Sequence, residues 1–158
     1  MRKTRFLAFA AVIAVMSLVA SPAMADPPGN NGTVKIDALP FDTAPDNEPH
    51  VGCSFQVDFY GYDKGDYWAD VTFELQPPSG TAQLLTSQVL IGQDEAGGGT
   101  DLDAQRQYNL QVELAANGVA HPIQGYHVKL TVNAPGSIGA DVKHKVFWVQ
   151  DCGYGSGS

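Results

Sequence analysis

An all-β fold, an antiparallel β-sandwich of about seven strands, is what this sequence predicts. Two observations carry it. Apolar and polar residues alternate with period two: Cys53, Phe55, Val57 and Phe59 against Ser54, Gln56, Asp58 and Tyr60, then Ala69, Val71, Phe73 and Leu75 against Asp70, Thr72, Glu74 and Gln76. Turn formers such as Pro77-Pro78-Ser79-Gly80, Gly97-Gly98-Gly99 and Ala134-Pro135-Gly136 separate runs of this kind, and nothing reads as a long amphipathic helix.

Taken in order, residues 1–25 read as a secretory signal peptide. Arg2, Lys3 and Arg5 precede an uncharged, largely apolar run from Phe6 to Ala20, and Ala23-Met24-Ala25 supplies the small-residue cleavage pattern. The run is short of the roughly 20 apolar residues of a membrane span, and no cysteine follows it to take a lipid. Cleavage leaves 133 residues (158 less 25), with six basic and seventeen acidic side chains and a formal charge of −11 (six less seventeen). That charge repels nucleic acid and anionic lipid, so neither is expected as a partner, nor is membrane insertion after cleavage.

Residues 26–50 are expected to be a flexible leader and a proline-rich connector, with "TVKID" as a possible first strand and Pro40, Pro45 and Pro49 holding the rest extended. Residues 51–152 form the sandwich. After the two alternating runs come "AQLLTSQVLIG", "RQYNLQVELA", "GYHVKLTVN" and "DVKHKVFWVQDC", each read as a strand, and "GQDEAGGGTDLDAQ" is read as a polar hairpin loop. Residues 153–158, "GYGSGS", are a flexible tail. Cys53 and Cys152 are the chain's two cysteines; in an exported protein they are expected to pair as a disulfide.

Candidate sites follow from the two strands around "DFYGYDKGDYWAD". If they form a hairpin through Asp63-Lys64-Gly65, with Gly65 in the left-handed position, Tyr62 faces Asp66, Tyr60 faces Trp68 and Asp58 faces Asp70 on the outward side. Tyr60, Tyr62 and Trp68 would then form an aromatic platform suited to sugar rings; the competing reading is cross-strand pairing that only stabilises the hairpin. Asp58 and Asp70 would need a cation between them, yet two acids supply too few oxygens for Ca²⁺, and acids on strands of opposite sheets would never meet.

The remaining chemistry is sparse. His50, His121, His127 and His144 match no zinc-binding spacing, and the acids Asp94, Glu95, Asp101 and Asp103 do not follow a calcium-loop pattern, so no metal or cofactor is expected. There is no G-x-S-x-G elbow and no glycine-rich phosphate loop, hence no catalytic residue to name. Lys129, Lys143 and Lys145 gather with His127 and His144 on the last two strands, either as a face for an acidic partner or as neutralisers of nearby carboxylates.

Gly125-Tyr126 opens the penultimate strand, where immunoglobulin-like sandwiches carry a tyrosine corner, so the predicted sandwich is immunoglobulin-like in that broad sense. The antibody pattern of two cysteines around a core tryptophan is absent, since Cys152 follows the last strand. Through "NNGTVKID", "DNEPHVGCSFQVDFYGYD", "ADVTFELQPPSG", "GYHVKLTVNAPG" and "KHKVFWV" the chain resembles a group of exported and cell-surface proteins of actinobacteria, some of them sortase-anchored. The resemblance implies an extracellular location and transfers no catalytic residue. With no sorting motif after Cys152, release is expected rather than wall attachment. The expected function is a secreted, non-enzymatic interaction module for a surface polymer or protein. The alternatives are a small secreted hydrolase or metal-dependent enzyme, and a structural surface component.

Overall fold

A computed structural model describes residues 31–150 apart from 96, together with 152. The expected signal peptide, most of the leader and the tail lie outside the described residues. Eight strands and one short helix follow in the order β1 (Thr33–Asp37), β2 (His50–Val51), β3 (Ser54–Tyr60), β4 (Trp68–Leu75), β5 (Gln83–Leu90), β6 (Leu102–Asn109), α1 (Gln111–Asn117), β7 (Tyr126–Asn133) and β8 (Val142–Val149). They build two sheets, β1-β3-β6 and β2-β8-β7-β4-β5. Every pairing is antiparallel except β2 with β8. The all-β sandwich is therefore the fold.

The core forms where the apolar positions of both sheets meet, as period-two alternation requires. From one sheet come Val34, Ile36, Phe55, Val57 and Phe59; from the other Val71, Phe73, Leu75, Leu130, Val132 and Phe147, all but excluded from solvent. Aromatic edges interlock at the centre, with the Phe73 ring 4.8 Å from Tyr108 and 5.5 Å from Phe55, and Phe55 5.3 Å from Phe147. Cys53 and Cys152 stand at disulfide distance, their Cα atoms 4.9 Å apart, tying the entry of β3 to the chain beyond β8.

Three expectations about connection are corrected. First, β3 and β4 form no hairpin: β3 pairs with β1 and β6, whereas β4 pairs with β5 and β7. The positive φ of this connection falls at Gly61 (+74°) instead of Gly65, and Tyr62 behind it is buried. Its N–H donates to Asp103 Oδ2 (2.7 Å) and its hydroxyl contacts Ser137 Oγ (2.8 Å), so the chain is pinned as it crosses to the other sheet. Second, the acidic glycine-rich segment also crosses between sheets, because β5 and β6 belong to different ones. Third, "QVELA" is helical. Leu110 and Leu114 are fully buried four residues apart, and Asn109 Oδ1 accepts the Gln111 N–H (3.0 Å). Two periods fit so short a run, and burial of that pair selects the helical one.

The proline-rich connector folds back on the three-stranded sheet. Glu48 N–H donates to Ile36 O (3.0 Å), Ala38 N–H to the Glu48 carboxylate, and Asp42 N–H to Asp37 Oδ2 (3.0 Å). The Tyr60 hydroxyl reaches Ala44 O at 3.5 Å. As a result both faces of β3 are covered: Gln56, Asp58 and Tyr60, the outward residues of its alternation, are as buried as Phe55, Val57 and Phe59.

Candidate functional site

The expected aromatic platform is not assembled. Tyr60 and Tyr62 are 0% and 1% exposed, and only Trp68, at 47%, faces solvent. Burial pushes both tyrosine hydroxyls up to about 12. The expected acid pair is likewise divided between sheets. Asp70 Oδ1 accepts from Gln88 Nε2 (2.8 Å) on the surface of the five-stranded sheet. Asp58 lies fully buried on the other sheet, across from Lys35 and Gln105 in the ladders. Neither carboxylate oxygen accepts a hydrogen bond of good geometry, although the Gln56, Gln105 and Tyr60 side chains lie near enough to favour its charged form. Burial, and after it the nearby Asp37 charge, raises its pKa to about 6.

Histidines and lysines occupy structural positions. His127 stacks on Trp148 (centroids 4.4 Å, planes 20° apart) with Nδ1 2.8 Å from Pro77 O, and His121 meets the same indole edge-on at 5.9 Å. His144 Nδ1 lies 3.1 Å from Thr131 Oγ1, and His50 is exposed at the β2 edge. Lys129 pairs with Glu74 (2.9 Å), whereas Lys143 donates to Ile138 O. Lys145 has its pKa lowered by burial and by Lys35 and Lys143. Among the described residues no group of three or more His, Cys, Asp or Glu is arranged to hold a metal ion.

A different site is built by the topology itself. β5 ends one sheet and β6 ends the other on the same side of the sandwich; no backbone ladder joins the two strands, which meet through the Ser87 and Tyr108 hydroxyls (2.7 Å). Between them lies a groove of about 440 Å³, walled by Trp68, Gln88, Leu90 and Gln93 on one side and by Asp103, Gln105 and Arg106 on the other. Trp68 is held by its indole N–H, which donates to Asp66 Oδ1 (2.9 Å). Asp103 uses Oδ2 to accept the Tyr62 N–H, while its Oδ1 is buried without a partner. Burial, then the charges of Asp101 and Asp94, raise the Asp103 pKa to about 6. Past Gln88 a shallower depression of about 390 Å³ continues over the outer face along Asp70, Thr72 and Thr86.

The β5 edge is open in its backbone as well. Ile91 N–H donates to Tyr67 O, which extends the β4–β5 register of Trp68 with Leu90 and Ala69 with Val89. In an antiparallel ladder alternate residues turn both backbone groups toward the partner, so Val89 and Ser87 face β4 while Leu90, Gln88 and Thr86 turn theirs outward. Those outward groups have no hydrogen-bond partner among the described residues.

This set suits recognition: a fixed indole, three amide side chains, one carboxylate and one guanidinium. Asp103 is the one carboxylate among the described residues that wall the groove. Of the expected site residues the groove retains Trp68 alone. Gln88, Gln93, Gln105 and Arg106 carry no sequence motif, and it is the adjacency of two unpaired edges that brings them together. Neither a comparison with protein-family models and curated proteins nor one with solved structures finds a match for this chain.

Proposed function

We propose that this protein is a secreted, non-enzymatic interaction module that captures an extracellular polymer or protein in the groove between β5 and β6. One observation carries the reading: the half-exposed Trp68, fixed through Asp66, stands in the wall of an open polar groove. A rigid aromatic with polar neighbours supplies contact area at low entropic cost, and that is what binding surfaces use. Export is supported by the signal-like residues 1–25, by the resemblance to actinobacterial surface proteins and by the paired cysteines.

The test is binding of the oxidised protein to glycan and peptide arrays, with Trp68→Ala and Gln105→Ala beside the parent. Saturable binding that falls at least tenfold in Trp68→Ala, with the far-UV spectrum and melting temperature retained, is the expected result. Binding that ignores both substitutions would remove the groove from the function. Turnover of a bound polymer by the parent protein would favour the hydrolase alternative.

A further inference from the structure

We infer that the partner is an extended polypeptide segment, which adds to the five-stranded sheet as a sixth strand along β5 and places a lysine or arginine against Asp103. The inference rests on the groove being the binding site and specifies what enters it.

Exposed sheet edges are hazardous because their free N–H and C=O groups pair with any extended chain, and proteins ordinarily blunt them with charge, proline or brevity. The β5 sequence has none of these, Gln83–Leu90 being eight residues, QLLTSQVL, without a charge or a proline, and α1 is the helix that packs against it. The outward backbone groups of Thr86, Gln88 and Leu90 provide the hydrogen-bond row that an incoming strand needs. The edge of β6 differs, since "LDAQRQYN" carries Asp103 and Arg106. An added strand sends alternate side chains to opposite faces. One set lies over the outer face beside Trp68 and Gln88, and the other enters the groove, whose wall includes Asp103.

Charge selects the occupant. Asp66, Asp70, Asp94 and Asp101 surround this end of the groove and outnumber the one cation in its wall, Arg106, while Lys64 is already paired with Glu95 (2.6 Å). A second copy of this chain brings the same acids to the same edge and is repelled. A strand with a basic residue is attracted, and its ammonium or guanidinium group lies against the Asp103 charge.

The experiment pans a library of random 12-residue peptides, displayed on phage, against the oxidised protein. The expected peptides alternate apolar and polar residues around one lysine or arginine, and they protect the amides of Thr86, Gln88 and Leu90 from hydrogen exchange. A selected peptide is then N-methylated at alternate amides, which leaves the protein untouched. One methylation phase should weaken binding at least tenfold and the other should not; equal effects of both phases would overturn strand addition. Asp103→Asn should cost a basic peptide severalfold more than its neutral analogue, and identical losses would overturn the role given to Asp103. A neutral glycan that binds in a Trp68-dependent way while no peptide is selected would sink the inference and keep the groove as a binding site. Failure of every peptide and every glycan would remove both. Dimerisation of the protein through β5, seen by sedimentation and abolished by Leu90→Lys, would assign the edge to a second copy instead.

Discussion

Asp58→Asn is the substitution whose outcome the structure constrains most tightly. The carboxyl group is fully buried on the central strand of the three-stranded sheet, its oxygens without a hydrogen bond of good geometry and its pKa raised from 3.8 to about 6, first by burial and then by Asp37. A raised folded-state pKa means that the folded chain holds its proton longer than the unfolded one. The stabilisation linked to that proton is fully present below pH 3.8 and is lost as pH rises through about 6. At about 1.36 kcal/mol for each pH unit, the displacement from 3.8 to about 6 is worth up to ~3 kcal/mol. Asparagine keeps the shape and removes the ionisation. In urea unfolding, the variant should match the parent near pH 4 and exceed it by up to about 3 kcal/mol at pH 7.5. The reasoning would be refuted by equal stabilities at pH 7.5, or by an offset that is the same at every pH. Asp103, raised to about 6 by burial, retains its own slope in the variant, so some pH dependence persists.

Three further outcomes follow from packing and covalent geometry. Replacing both Cys53 and Cys152 by serine should lower stability by roughly 4–5 kcal/mol in guanidinium unfolding, since the link closes a separation of 99 residues; an unchanged midpoint would contradict it. Phe73→Ala, at a fully buried ring in contact with Phe55 and Tyr108, should cost about 3–5 kcal/mol by the same measurement. Gly125→Ala should cost about 1–3 kcal/mol, because φ is +79° there and a Cβ would meet Val149 O, and a neutral result in thermal melts would show that the β7 entry relaxes.

Legibility of the fold varied with the range of the interaction involved. Alternation along β3 and β4 identified Val57, Phe59, Val71 and Phe73 as inward because side-chain direction in a strand is a property of the strand alone. The same alternation marked Tyr60 and Asp58 as outward, which is correct for the pleat, yet outward does not mean exposed where a connector lies over the sheet. The contacts of Glu48 and Ala44 that build this cover join Ile36 and Tyr60 across more than ten residues and have no local pattern. Trp68 was legible as an exposed aromatic, whereas its neighbours Gln88, Gln105 and Arg106 were not, since ordinary polar residues announce nothing until the fold gathers them.

By itself, then, the sequence determined the period-two strands, the apolar faces they turn to one another and, with only two cysteines, the identity of the covalent tie. Tertiary structure alone decided partnership. Backbone groups pair equally well with any strand, and Tyr62, anchored to Asp103 and Ser137, carries the chain from β3 across to β4 in the other sheet instead of turning it back. That one crossing separates Asp58 from Asp70 and buries Tyr62, while the connector covers Tyr60. Together with the second crossing, from β5 to β6, it leaves two edges side by side and unpaired, and the groove is the space between them.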